Sequence, residues 1–176
     1  MRVSRWFLAV ALPVGVAGIP AAALPVIPKC DVFAGYSRLT ADVFYPNVGG
    51  LNGWAGALNC KVKRFVGIEG DVSQYGFGAN SNVPRTTAVM GGPRVTVGAL
   101  GVRVFAHALA GGEHSANSSG LPISGGALTY ALGGGVDLPI APFFSWRAGA
   151  DYFNAPTLSP ASGRHARLST GIVFRF

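Results

Sequence analysis

The tightest constraint on this chain is the period with which its side chains alternate. From Arg167 to Phe176, residues Leu168, Thr170, Ile172, Phe174 and Phe176 share one face of an extended strand, and Arg167, Ser169, Gly171 and Arg175 share the other. From Phe144 to Tyr152, Phe144, Trp146, Ala148, Ala150 and Tyr152 oppose Ser145, Arg147, Gly149 and Asp151. From Val66 to Ser73, Val66, Ile68, Gly70 and Val72 oppose Gly67, Glu69, Asp71 and Ser73. A strict period of two is the pattern of a strand with one apolar and one polar face. The 26 glycines argue against helix, because each costs about 1 kcal/mol relative to Ala inside one.

Eight apolar segments of about ten residues stand between Gly, Pro, Asn and Ser clusters: Cys30–Leu39, Leu51–Val62, Arg64–Tyr75, Thr86–Val97, Leu100–Ala110, Ala127–Leu138, Pro142–Phe153 and Arg167–Phe176, with cleaner alternation in the third, seventh and eighth than in the first, fourth and fifth. The connections near Lys63, at Gly98-Ala99 and at Pro139-Ile140-Ala141 are tight. Those at Thr40–Gly50, Gly76–Arg85, Gly111–Gly126 and Asn154–Ala166 are longer, and the two kinds alternate strictly.

Composition narrows the reading. Hydrophobic residues make up 49% of the 176 residues and charged ones only 12%, against roughly 25% charged in an average soluble domain. Mean hydropathy is +0.39, yet the body holds no apolar run of about 18 residues, so no helix spans a bilayer there. A soluble all-β core and a membrane barrel both remain. Sorting short turns to one end and long loops to the other favours the barrel, since a soluble sandwich has no reason to sort its loops. The expected fold is therefore all-β: an eight-stranded antiparallel up-and-down transmembrane β-barrel over residues 30–176. The barrel must close, because open sheet edges cannot be satisfied in lipid.

The first 23 residues read as a cleaved signal peptide. Arg2 and Arg5 supply the positive start, Trp6 to Ala17 the short apolar run, and Ala21-Ala22-Ala23 the small residues of a cleavage site. Pro13, Pro20 and the short apolar run suit a processed signal better than an uncleaved anchor. Residues 24–29 form a short lead. Formal net charge is +7, and Arg2 and Arg5 leave with the signal. The remaining basic residues are scattered singly through apolar alternation, so nucleic acid is not an expected partner.

Two stretches carry a family resemblance. The closing run Arg167-Leu168-Ser169-Thr170-Gly171-Ile172-Val173-Phe174-Arg175-Phe176 resembles the C-terminal β-signal of outer-membrane proteins, with Phe174 and Phe176 at alternate positions. Asp31-Val32-Phe33-Ala34-Gly35-Tyr36-Ser37 resembles the first strand of the small outer-membrane β-barrel family that includes the OmpA transmembrane domain. The resemblance covers roughly residues 30–176. It implies bacterial outer-membrane location, contact with outer-membrane lipids including lipopolysaccharide, and reading of the last strand by barrel-assembly machinery. It implies no single activity, since the family includes structural proteins, adhesins and lipid-modifying enzymes.

Parity assigns Lys61, Glu69, Asp71, Arg94, Arg103, Asp137, Arg147, Asp151 and Arg175 to the lumen, with Phe33, Phe105 and His107 also inward. An eight-stranded barrel has room inside for side chains and little else. Charges packed there must pair, because an unpaired buried charge costs several kcal/mol. Arg94, Arg103, Arg147 and Arg175 are expected to pair with Glu69, Asp71, Asp137 or Asp151, with Trp54, Phe144, Trp146, Tyr152 and Phe174 on the opposite face. Such a lumen is either a structural polar plug, the simpler reading, or a path for ions, protons or water.

No catalytic, cofactor or metal site is expected. Glu113-His114-Ser115 holds the residue types of a hydrolase triad, but consecutive side chains on an extended chain point to opposite faces. Lipid A deacylases of this architecture place His and Ser together on the outer wall, whereas His107 falls inward and reads as a packed core histidine. His114 and His165 read as solvated loop residues. The two cysteines and three histidines lack the ligand spacing of zinc sites. Arg164, His165 and Arg167 read as the outer end of the last hairpin, where arginines either contact lipopolysaccharide phosphates or stay solvated. A structural or surface-interaction role leads; a narrow pore for ions or small solutes and a lipid A-modifying enzyme are the alternatives.

Cys30 and Cys60 lie symmetrically about the first loop, centred near Tyr45, which sets them opposite or diagonal to each other near the short-turn rim. Directly opposed residues have Cβ atoms about 4.5–5.5 Å apart, a little wide for a disulfide. A disulfide, a lipidated Cys30 and two free thiols are the three readings, and Lys29 fits the lipidated one poorly.

Overall fold

The computed structural model describes residues 29–42, 50–77, 85–99, 101–116, 126–156 and 164–176. The expected signal peptide, most of the lead and the loop tip near Tyr45 lie outside them. Eight strands follow in order: β1 (Cys30–Asp42), β2 (Leu51–Lys61), β3 (Val66–Phe77), β4 (Arg85–Ala99), β5 (Val102–Ala116), β6 (Ala127–Ala141), β7 (Phe144–Asn154) and β8 (Arg164–Arg175). Each pairs antiparallel with its sequence neighbours, and β8 pairs with β1 to close the barrel.

The register fixes the barrel's shape. Paired residues run from Lys61 to Gly67, Arg94, His107, Gly133, Asp151, Arg167 and Leu39, and return to β2 at Leu51, ten residues from the start. This stagger is the shear that strand tilt requires. Eleven residues at a rise of about 3.3 Å, tilted about 40°, give strands roughly 28 Å tall, enough to span a hydrocarbon layer.

Alternation sorts the two faces as the sequence leads one to expect. Trp54, Leu58, Ile68, Val89, Leu132 and Ile172 are exposed on the outside, whereas Asp31, Glu69, Arg94, Asp137, Arg147 and Arg167 are buried inside. Two small apolar clusters also sit inside. One holds Phe33, Ala55, Ala57 and Val173; the other is built around Leu39, Tyr75, Leu109 and Phe153 towards the long-loop end.

Short connections at 62–65, 100–101 and 142–143 alternate with long ones. Several boundaries differ from the sequence reading. Gly98-Ala99 belongs to β4, and before β5 Gly101 has φ +84°, a left-handed conformation that glycine adopts without cost. Pro139-Ile140-Ala141 is not a turn but the end of β6, where the register shifts between Pro139 and Ala141. Such irregularities accommodate proline near a strand end. β5 runs on to Ala116 through Gly111-Gly112, which reads as loop in the sequence. A Cβ on Gly111 would stand 2.0 Å from the Val89 carbonyl oxygen. That glycine therefore permits close strand approach rather than a turn.

Cys30 and Cys60 are direct partners joined by a disulfide, with Cα atoms 4.2 Å apart. The backbone N–H and C=O of Cys30 both bond to Phe176 on the β8 side. Its pairing with Cys60 is thus of the non-hydrogen-bonded kind, in which side chains stand closer. No bulge is needed to bring the sulfurs together.

Candidate functional site

The lumen holds the chain's chemistry. Near the short-turn end, β7 presents Arg147 and β6 presents Asp137. Arg147 donates from Nε to Asp137 Oδ1 at 2.6 Å and from Nη2 to Oδ2 at 3.0 Å. Its Nη2 also reaches Asp31 Oδ1 at 3.2 Å. Two parallel N–H···O bonds of this kind are among the stronger charge-assisted contacts. Arg94 donates from Nη1 to Glu69 Oε2 at 2.8 Å, and lies 3.7 Å from Asp31 and 3.6 Å from Asp137. Asn59 Nδ2 donates to the remaining Asp31 oxygen at 2.8 Å.

Aromatic faces support these cations. The Phe105 ring centroid lies 3.8 Å from Arg94 Cζ and 4.7 Å from Arg147 Cζ, and Phe33 lies 5.1 Å from Arg147. A guanidinium over an aromatic face gains about 0.5–2 kcal/mol, more when desolvated. Gly135 makes room for this platform, because a Cβ there would stand 2.9 Å from Phe105 Cζ.

A second cluster lies towards the long loops. Arg167 donates from Nε to Asp151 Oδ2 at 2.6 Å and from Nη1 to Asp71 Oδ1 at 2.8 Å. His107 joins the two clusters. Its Nδ1 is 2.9 Å from Glu69 Oε1 and its Nε2 is 2.8 Å from Asp151 Oδ1. Only an imidazolium can donate from both nitrogens. Asp31, Glu69, Asp71, Asp137 and Asp151 then balance Arg94, Arg147, Arg167, Arg175 and His107 charge for charge. A cavity of about 10 Å³ remains beside Phe33, Phe105 and His107, room for about one water molecule. Above the second cluster, Thr86 and Ser115 share a hydroxyl–hydroxyl bond of 2.6 Å.

All nine lumen residues assigned by parity lie on the inner face, but their roles differ. Glu69, Asp71, Arg94, Asp137, Arg147 and Asp151 are buried and ion-paired. Arg175 bonds Ser145 Oγ and approaches Asp137 at 3.5 Å. Arg103 and Lys61 sit at the short-turn rim with no ion pair among the described residues. The expected pairing of Arg103 with a carboxylate is thus corrected: the facing Asp137 is already taken by Arg147.

Other expectations are corrected too. Arg167 is not at a solvated hairpin end; it is 2% exposed and anchors the second cluster. His165 is a buried residue of β8, and His114 lies exposed on β5 between inward Glu113 and Ser115. β5 and β8 extend further towards the loops than their polar, glycine-containing ends suggest. The alternation around Ser169, Gly171 and Arg175 already places Arg167 inward, so that residue was findable. Asp31 shares parity with inward Phe33 in the same way. His107 is inward as expected, but as a bridge between carboxylates rather than an apolar core residue.

On the outer face, Trp54, Phe144, Trp146 and Phe174 are exposed and Tyr152 is half-buried. The Phe174 ring stacks on Phe176 at 5.9 Å and packs against Phe144 at 5.2 Å. Tyr152 lies against Tyr130 at 6.1 Å.

No protein-family model matches the chain, and no curated protein matches it by sequence. Solved structures do match. Neisserial surface protein A aligns with a TM-score of 0.63 at 14% identity, over 84% of this chain and 96% of that one. Ail, the attachment invasion locus protein of Yersinia pestis, aligns with a TM-score of 0.56 at 17% identity, over 85% and 99%. The N-terminal β-barrel domain of Pseudomonas aeruginosa OprF aligns with a TM-score of 0.57 at 14% identity, over 85% and 98%. At these identities the likeness is one of fold, and in fold this chain is a closed, eight-stranded, all-antiparallel barrel like theirs.

Proposed function

We propose that this chain is an integral protein of the bacterial outer membrane with a structural or surface-interaction role, its lumen filled by a charged plug. The observation that carries the reading is the inside-out distribution of its side chains. Large apolar residues circle the outside while arginines and carboxylates are buried within. Water rewards the reverse arrangement, and a lipid surround rewards this one. The outer aromatics fall into two tiers. Phe143, Phe144, Trp146, Phe174 and Phe176 lie towards the short turns, and Tyr36, Trp54, Tyr130 and Tyr152 lie nearer the long loops. Such girdles mark the two interfaces of a membrane barrel.

Ion-paired side chains and a residual cavity of about 10 Å³ favour a plug over a pore. The lipid A-modifying alternative draws no support from His107, whose two nitrogens are both occupied by carboxylates inside the barrel. The short turns then face the periplasm and the long loops the exterior, where a surface role resides. Lipopolysaccharide around the wall and assembly machinery reading Phe174 and Phe176 belong to the same proposal.

Brominated lipids test the membrane placement. Refolded into vesicles, the protein should lose most of its Trp54 and Trp146 emission to bromines on the acyl chains. Unquenched emission from a folded barrel would refute it.

A further inference from the structure

The short-turn mouth of the barrel carries two lysines and an arginine, Lys29, Lys61 and Arg103, that the plug does not use, beside Arg175, which it holds only through Ser145 and a 3.5 Å approach to Asp137. A cavity of about 340 Å³ opens there, lined by Lys29, Lys61, Arg103 and Arg175 on one side and by Pro142, Phe143 and Phe176 on the other. Its one lining acidic side chain, Asp31, is engaged by Arg147 and Asn59. Lys29, Lys61 and Arg103 have no ion-pair partner among the described residues. Arg103 is near enough to Lys61 and to Arg175 for their charges to repel, offset in part by Asp31 and, at Arg175, by Asp137. The buried Nε of Arg175 has no hydrogen-bond acceptor. Like charges gathered in a concave, partly desolvated site are costly unless an anion joins them. Planar guanidinium groups match the oxygens of a phosphate.

We propose that this mouth is a binding site for a phosphate group, held by Lys61, Arg103 and Arg175. The geometry favours a phospholipid headgroup as its source. Phe143 and Phe176 line the cavity and are exposed, 61% and 63%, and Phe176 stacks on Phe174 of the outer wall. A phosphodiester seated among the cations can thus leave its acyl chains on apolar surface. Only this lipid source rests on the membrane reading above; the phosphate site itself does not.

Calorimetry on the protein in dodecyl maltoside, whose head is an uncharged sugar, tests the site. The probes are inorganic phosphate, short-chain phosphatidylglycerol and short-chain phosphatidylcholine, a phosphodiester without net charge. Inorganic phosphate should bind saturably at one site per barrel, and phosphatidylglycerol about tenfold more tightly. Lys61→Gln with Arg103→Gln should weaken both by about tenfold or more. Arg103→Lys should keep part of the affinity, and Arg38→Gln, on the outer face, should bind as the parent does. Gel mobility before and after heating reports folding of each variant, and single Arg103→Gln serves if the double variant fails to fold. Saturable phosphate binding with no gain from the lipid would keep the site and overturn the lipid source. Equal affinity for the two lipids would also overturn selection by charge. No saturable binding of any probe, or binding unchanged in both Arg103→Gln and the double variant, would overturn the site.

Discussion

Arg167 offers the sharpest test of the lumen as a mutually dependent set of charges. It is 2% exposed and donates to Asp151 at 2.6 Å and Asp71 at 2.8 Å. Replacing it with Met keeps similar volume but strands its partners unequally. Asp151 retains His107 Nε2 at 2.8 Å, whereas Asp71 has no other ion pair among the described residues. Breaking a buried pair from one side costs about 3–5 kcal/mol, mostly from the uncompensated charge. Arg167→Met should therefore destabilise the barrel by about 3–5 kcal/mol. Adding Asp71→Asn should restore about 2 kcal/mol or more, because the stranded group is then neutral. Asp71→Asn alone should cost less than Arg167→Met, since Arg167 keeps Asp151. The assay is reversible urea unfolding in lipid vesicles, followed by tryptophan emission, with free energies from linear extrapolation. A loss below about 1 kcal/mol for Arg167→Met would show that Asp71 and Asp151 do not depend on that guanidinium. Absence of rescue by Asp71→Asn would place the cost in packing and refute the electrostatic argument.

Three further outcomes follow from the same structure. The unreduced, folded protein should present no thiol to a maleimide, and Cys30→Ser with Cys60→Ser should lower stability by about 3–4 kcal/mol, the chain-entropy value for a sequence separation of 30; two reactive thiols per chain would reject the bridge. Reconstituted in planar bilayers, the parent should show no steady ohmic conductance, because the ion pairs leave room for about one water in the central lumen, and a stable open level would favour the pore. Gly135→Val should destabilise by about 1–3 kcal/mol or more, since its Cβ would stand 2.2 Å from the Ala148 carbonyl oxygen and 2.9 Å from the Phe105 ring beneath Arg94 and Arg147; stability equal to the parent would show that strand and ring both have space to move.

The sequence by itself determined the strand count, the alternation of short and long connections, and which face of each strand is polar. Period two is a local property, and a one-residue slip would turn every side chain to the wrong surround. That is why Glu69, Asp71 and Arg147 were placed inward from sequence alone. It also made Cys30 and Cys60 neighbours, through their symmetry about one hairpin. Strand ends were harder to read. Gly111-Gly112 and Pro139 carry turn chemistry but sit in strands, because the neighbouring backbone, not the local sequence, decides whether a glycine marks a bend or a close approach. Starting β8 at Arg167 set that residue at the hairpin end and hid its role, although its parity with Arg175 was visible. What only the tertiary structure decided is who pairs with whom across the lumen. His107 meets Glu69 and Asp151 because the ten-residue stagger brings β3, β5 and β7 to one level. The same stagger leaves Lys61, Arg103 and Arg175 together at the mouth. Partners inside a closed barrel are set by shear and tilt, which belong to all eight strands at once.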